Sequence, residues 1–143
     1  MVGNMRQALH TLTIQTRNRG LLEITRPIAE WVSSTGIGAG LLTAFCRHTS
    51  ASLLIQENAD PDVRRDIEAF FERIAPEERD RYVHEDEGPD DMPAHLRTAL
   101  TNVQLTIPVS AGRMALGTWQ GIYLFEHRRA PHRREVVLHL IGE

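Results

Sequence analysis

Between Tyr82 and Leu96 the chain reads YVHEDEGPDDMPAHL. Two imidazoles, His84 and His95, bracket five carboxylates: Glu85, Asp86, Glu87, Asp90 and Asp91. Neutral imidazoles and carboxylates are common ligands of divalent cations. The Gly88-Pro89 pair supplies a turn that can fold the segment back on itself. The residues alone leave two readings open. One is a cation site; the other is a solvated acidic loop in which Asp91 caps a helix begun near Pro93. The spacing matches neither a zinc finger nor HExxH, so it specifies no particular metal.

Other residues break the apolar pattern around them. On a strand LLTAFCRH (41–48), side-chain alternation puts His48 on the same face as Leu42, Ala44 and Cys46, where a core histidine bonded to a nearby carbonyl is as open as a functional one. Glu126 shares a face with Ile122 and Leu124. A carboxylate there costs on the order of several kcal/mol unless it is paired, protonated or bound to a cation. It therefore calls for an arginine partner, an edge position or a functional role. His139 lies between Val137 and Ile141 on its face, where a structural role is as open as a functional one. Trp119 and Gln120, set between Gly117 and Gly121, read either as a core Trp with a neighbouring polar residue or as an aromatic wall with an amide donor for a substrate. The stretch EHRRAPHRRE (126–135) gathers four arginines and two histidines. It reads as a solvated hairpin tip or as a phosphate clamp.

The totals narrow the classes. At 143 residues and 41% hydrophobic the chain fits one domain, 1–143, with a real core. A net charge of −3 argues against bulk nucleic-acid binding. The single cysteine, Cys46, allows no internal disulfide and suits a reducing compartment. No stretch has signal-peptide character or approaches the ~20 apolar residues of a membrane span, so a cytoplasmic location with no membrane partner is expected. All 16 basic residues are arginine, which excludes Schiff-base and P-loop lysine chemistry.

These residues need a scaffold. ALHTLTIQTR (8–17) and LLEIT (21–25) read as a hairpin turned at NRG. Thr25 reads as the cap of a short helix through Pro27, Ile28, Trp31 and Val32, ended by TGIGAG (35–40). Strands follow at 41–48 and 50–57. Asp60-Pro61 opens the clearest helix, with Val63, Ile67, Phe70, Phe71 and Ile74 on one face and Pro76 as its stop. A third helix begins at Pro93, and strands are expected at 103–109, 113–116, 121–127 and 135–141. Short turns between consecutive strands favour antiparallel pairing, hence an α+β domain.

HTSASLLIQENADPDVRRD (48–66), EGPDDMPAH (87–95) and GRMALGTWQGIYLFEH (112–127) together resemble the YjbQ-like family, associated with secondary thiamine-phosphate synthase activity. The likeness runs from about residue 6 to 142. It implies a mixed, mostly antiparallel sheet curved into a half-barrel with helices packed against it. It implies a homotrimer, which the two apolar faces of GIYLFEH also suggest. It implies a divalent metal, zinc or magnesium, held by His48, His84 and His95, with Asp90 and Asp91 orienting the rings or serving as extra ligands. The implied reaction is a metal-assisted transfer that joins an aminopyrimidine-methyl diphosphate to a thiazole phosphate and releases diphosphate. Asn58, Trp119, Gln120 and Arg113 would bind this small phosphorylated heterocycle, and Glu126, Asp91 and Gln120 would serve catalysis. Two alternatives remain: a metal-dependent hydrolase with Glu126 as general base, or a non-catalytic trimeric module that binds a metal or small anion.

Overall fold

A computed structural model describes residues 3–143. In chain order it contains β1 (Arg6–Gln15), β2 (Gly20–Glu23), α1 (Thr25–Ser34), β3 (Gly40–Cys46), β4 (Ala51–Glu57), α2 (Pro61–Ile74), α3 (Asp91–Leu100), β5 (Gln104–Ser110), β6 (Arg113–Met114), β7 (Gln120–Glu126) and β8 (Arg133–Gly142). Five strands form one sheet in the order β1-β8-β3-β5-β6, and three form a second in the order β2-β7-β4. Neighbouring strands pair antiparallel throughout. The result is a single α+β domain with one sheet curled into a half-barrel.

Period-two alternation builds the core from the five-stranded sheet. Leu42, Ala44 and Cys46 on β3, Leu105, Ile107 and Val109 on β5, and Val136, Leu138 and Leu140 on β8 all turn inward. They meet Ile122 and Leu124 of β7, Ala51 and Leu53 of β4, and Ile28 and Val32 of α1. The other face of β7 is buried too. Phe125 makes an edge-on contact with Phe71 of α2 at 5.3 Å between ring centroids, and Arg64 of α2 lies over Tyr123. The chain's own helices therefore cover the second apolar face of GIYLFEH, and no second copy is needed there.

The open apolar surface lies elsewhere. On the outer face of the five-stranded sheet the register aligns three rows: Gln7-Ile141-Leu41-Pro108, Leu9-His139-Thr43-Thr106 and Thr11-Val137-Phe45-Gln104. Leu9, Leu41, Phe45 and Ile141 stand exposed in these rows, which contain no Asp, Glu or Arg. His139 takes a structural place among them, with Nε2 2.8 Å from Oε1 of Gln7.

The sequence reading differs from this at several points. The segments 8–17 and 21–25 form no hairpin, because β1 pairs with β8 and β2 pairs with β7 in the other sheet. Asp60 caps α2 as expected, accepting from the Asp62 N–H at 2.9 Å. Thr25, by contrast, is the first residue of α1 and caps nothing. Its hydroxyl accepts from the Ile122 N–H at 2.8 Å and donates to Glu23, tying the helix to β7. The third helix starts at Asp91, so Pro93 falls in its first turn, where a missing N–H is harmless. β3 stops at Cys46, which leaves His48 in the connection to β4.

Candidate metal centre

The early start of α3 sets the site. Asp91 and His95 are four residues apart on it and so share a face. His84 comes from the preceding loop. Its Nε2 lies 2.8 Å from Oδ2 of Asp91, and Nε2 of His95 lies 3.1 Å from the same oxygen. One donor atom from each residue falls within 4.8 Å of the others. Ligands at 2.0–2.1 Å around a tetrahedral ion sit about 3.3 Å apart, so small ring movements would let the three residues close on one ion. Asp91 is buried, while the two imidazoles stay partly open. His84 also lines a cavity of about 510 Å³ with Glu77, Glu78, Arg79, Tyr82 and Met92.

Arginine locks the acidic loop in place. Nη1 of Arg128 donates to Oδ1 of Asp91 at 2.8 Å, its Nε donates to Asp90 at 3.2 Å, and its Nη2 donates to the Glu87 carbonyl at 2.9 Å. The Arg129 N–H adds a bond of 2.9 Å to Asp90. Burial pushes the Asp90 pKa up, but these bonds outweigh it and hold the carboxyl below its ordinary value. Arg129 pairs with Glu77, and Arg134 with Glu126. The arginine-rich stretch is therefore not a solvated tip alone, although Arg129, Ala130, Pro131 and Arg133 are exposed. Three of its four guanidinium groups hold carboxylates.

Glu126 is a structural anchor and cannot serve as the expected general base. Its Oε1 accepts from Thr16 at 2.6 Å and from Nε of Arg134 at 2.7 Å. Its Oε2 accepts the N–H groups of His127 and Arg128 and a second Arg134 nitrogen. Burial pushes its pKa up, but hydrogen bonds from Arg134 and Thr16 prevail and lower it. A 1%-exposed carboxylate with both oxygens filled has no free lone pair facing a substrate. His48 is also separate from the cluster: its Nε2 accepts the Glu135 N–H at 2.8 Å. Burial, followed by the charge of Arg134, lowers its pKa. The grouping of metal-type donors among the described residues is thus two histidines and Asp91, with Asp91 where His48 was expected.

The UPF0047 protein YjbQ-like family matches residues 10–143. The chain belongs to this family. It is 51% identical to a UPF0047 protein of Synechocystis over 96% of this chain and 94% of that one. It is 42% identical to the UPF0047 protein YjbQ of Escherichia coli over 93% and 96%. A solved YjbQ/UPF0047 family protein of Clostridium acetobutylicum superposes with a TM-score of 0.83 at 33% identity, covering 92% of this chain and 98% of that chain. A Sulfolobus solfataricus protein of unknown function shares the fold, with a TM-score of 0.89 at 23% identity and coverage of 98% and 100%.

In this family member the remaining expected residues lie at the opposite end of β7 from Glu126 and Arg128. Six residue steps separate Gln120 from Glu126, about 20 Å of strand. The Asn58 N–H donates to the Trp119 carbonyl at 3.0 Å, and Nδ2 of Asn58 donates to Glu23 at 3.1 Å. Oε1 of Gln120 accepts from the Gly117 N–H at 2.8 Å, and Trp119 is 62% exposed. Arg113 lies on β6 beside a separate cavity of about 540 Å³ under α1. One chain therefore brings together His84, Asp91 and His95, but not these four residues.

Sequence reasoning missed two buried groups. His127 sits beneath Phe125 with Nε2 2.8 Å from Oγ of Ser52, which also accepts from Thr101. Ser52 is 0% exposed and His127 1%, so the pair is closed to substrate. Arg97, in HLRTAL, is given no role by the sequence, yet it is 3% exposed. Helical spacing carries the only available signal, since Arg97 follows the buried Ala94 by three residues. Cys46 is buried as well, and burial raises its thiol pKa to about 11, which leaves it inert.

Proposed function

We propose that the protein is a metal-assisted transferase with thiamine-phosphate-synthase-like activity on a small phosphorylated heterocycle. The observation that carries this reading is the convergence of His84, Asp91 and His95 beside the cavity of about 510 Å³. Two imidazoles and one carboxylate suit zinc better than magnesium, which prefers oxygen ligands and retained water. When bound, the metal supplies positive charge to offset charge on a departing diphosphate. Arg128 fixes Asp91, and Asp90 fixes Arg128, so the donor set is held before a ligand arrives. Arg79, at the cavity wall, is placed to meet a phosphate. Metal analysis tests the first half of the proposal. His84→Ala and His95→Ala lose bound metal, whereas His48→Ala keeps it; full occupancy in the first two variants refutes the centre. Diphosphate release that requires both thiamine precursors tests the second half.

One observation favours a metal-dependent hydrolase instead. The cavity wall carries Glu77, Glu78 and Glu85 against a single arginine, Arg79. That field opposes a diphosphate and suits a less charged substrate. Turnover of one substrate without a second would support this reading.

The homotrimer is proposed on the family resemblance together with the uncharged outer sheet face. At about 4.8 Å between strands and 7 Å between rows, that face spans roughly 400 Å². A stable interface takes about 800 Å² per partner, so flanking residues must join it. Asn58, Trp119 and Gln120 can reach the metal-centre substrate only from a neighbouring copy, given the strand length that separates them. A cytoplasmic location is proposed from the reduced, buried Cys46.

A further inference from the structure

Arg97 is a buried cation without a counter-charge. It forms no ion pair within 4.0 Å among the described residues. One of its nitrogens, Nη2, donates to the Ala75 carbonyl at 3.1 Å, while its buried Nε has no partner. A guanidinium has five N–H donors and stays protonated, and burying it unpaired is costly. Arg97 lines a cavity of about 200 Å³ bounded by the β1–β2 turn, α2 and the segment after β7. Arg19 and Arg129 line the same cavity and are more exposed, with side chains at 15% and 58%.

We propose that this cavity binds a phosphate-type oxyanion, with Arg97 at its floor and Arg19 and Arg129 at its mouth. The carboxylates nearby leave Arg97 unserved. Glu77 bonds Arg19 at 2.7 Å and Arg129 at 2.6 Å. Glu68 accepts from the Leu21 N–H at 3.0 Å. Glu72 reaches Arg19 at 3.2 Å but is 61% exposed, so it can swing away when an anion enters. Three guanidinium groups from three elements match acceptors pointing in several directions, as a tetrahedral oxyanion provides, better than the two coplanar oxygens of a carboxylate. They also exclude a metal cation. The volume suits one phosphate group and has no room for a nucleotide. This site is distinct from the metal centre. Arg128 turns to Asp90 and Asp91, whereas its neighbour Arg129 turns to Glu77 and this cavity.

The test is calorimetric titration of the full chain with inorganic phosphate, and in parallel with methyl phosphate, against chloride at matched ionic strength. One phosphate binds per chain. Arg97→Met, which keeps the apolar stem, weakens binding about tenfold or more, and Glu72→Gln strengthens it. Should Arg97→Met fail to fold, Arg19→Gln and Glu72→Gln make the same comparison in opposite directions. Equal affinity for methyl phosphate identifies the end of a phosphomonoester as the ligand; a preference for the inorganic ion identifies free phosphate. His95→Ala keeps phosphate binding. No binding above the chloride control, unchanged affinity in Arg97→Met, or loss of binding in His95→Ala overturns the proposal. The last outcome would place the anion on the metal.

Discussion

Lowering the pH should destabilise this protein through His127, by an amount that follows from its burial. The imidazole is 1% exposed, its Nδ1 has no partner, and Arg97 and Arg134 lie near it. Burial first, then these cationic charges, lowers its pKa from 6.5 to about 3. The folded state keeps the ring neutral, while the unfolded state protonates it below about pH 6.5. The unfolded state therefore binds more protons between those values, and stability falls as pH drops through that window. From about pH 7.5 to about pH 5.5 the loss is about 1.4 kcal/mol. The figure holds for any folded pKa well below about 5, because the unfolded state alone titrates in that range. His127→Gln keeps a polar contact for Ser52 and removes the titration. The assay is urea unfolding of both proteins at the two pH values and one protein concentration. Wild type should lose about 1.4 kcal/mol more than the variant. Proton NMR offers an independent check, since the His127 ring signal should not move across this range. Parallel pH profiles, or a ring midpoint above about pH 5, would refute the reasoning.

Glu126→Gln should cost roughly 3–5 kcal/mol in urea unfolding, because it strips the charge partner from buried Arg134; near-native stability with lost turnover would restore the general-base role. Asp60→Ala should cost about 0.5–2 kcal/mol through the α2 cap. Its bound metal should stay unchanged, and metal loss with an unaltered melting temperature would assign Asp60 to the site. Phe45→Glu, on the open sheet face, should convert an assembled species to monomer by light scattering; an unchanged mass would move the contact elsewhere.

Local patterns were enough to locate most elements. The strands of the five-stranded sheet announce themselves by alternation, and α2 by Asp60, Pro61 and its apolar stripe, because alternation, capping and helical spacing act over a few residues. That stripe overstated burial: only Phe71 is buried, while Phe70 and Ile74 stay exposed. How far an amphipathic face sinks depends on what packs against it. The pairing of His84 with His95 was legible because both lie within twelve residues of chain and α3 holds one of them in register with Asp91.

Partners distant in sequence were not legible. Glu126 could be read as anomalous on an apolar face, but only the fold chose Arg134 and Thr16 as its partners. His48 was expected beside His84 because the family resemblance implies one ligand set for both; the end of β3 instead delivered its lone pair to the Glu135 N–H. Trp119 and Gln120 share a motif with Glu126, yet an extended strand holds them at its two ends. Arg97 was singled out by nothing in its own segment; the β1–β2 turn, α2 and the end of β7 enclose it. In each case residue type and spacing defined what a side chain could do. Tertiary packing decided which charges and lone pairs were already satisfied, because burial and partner choice are set by segments that meet only when the chain has folded.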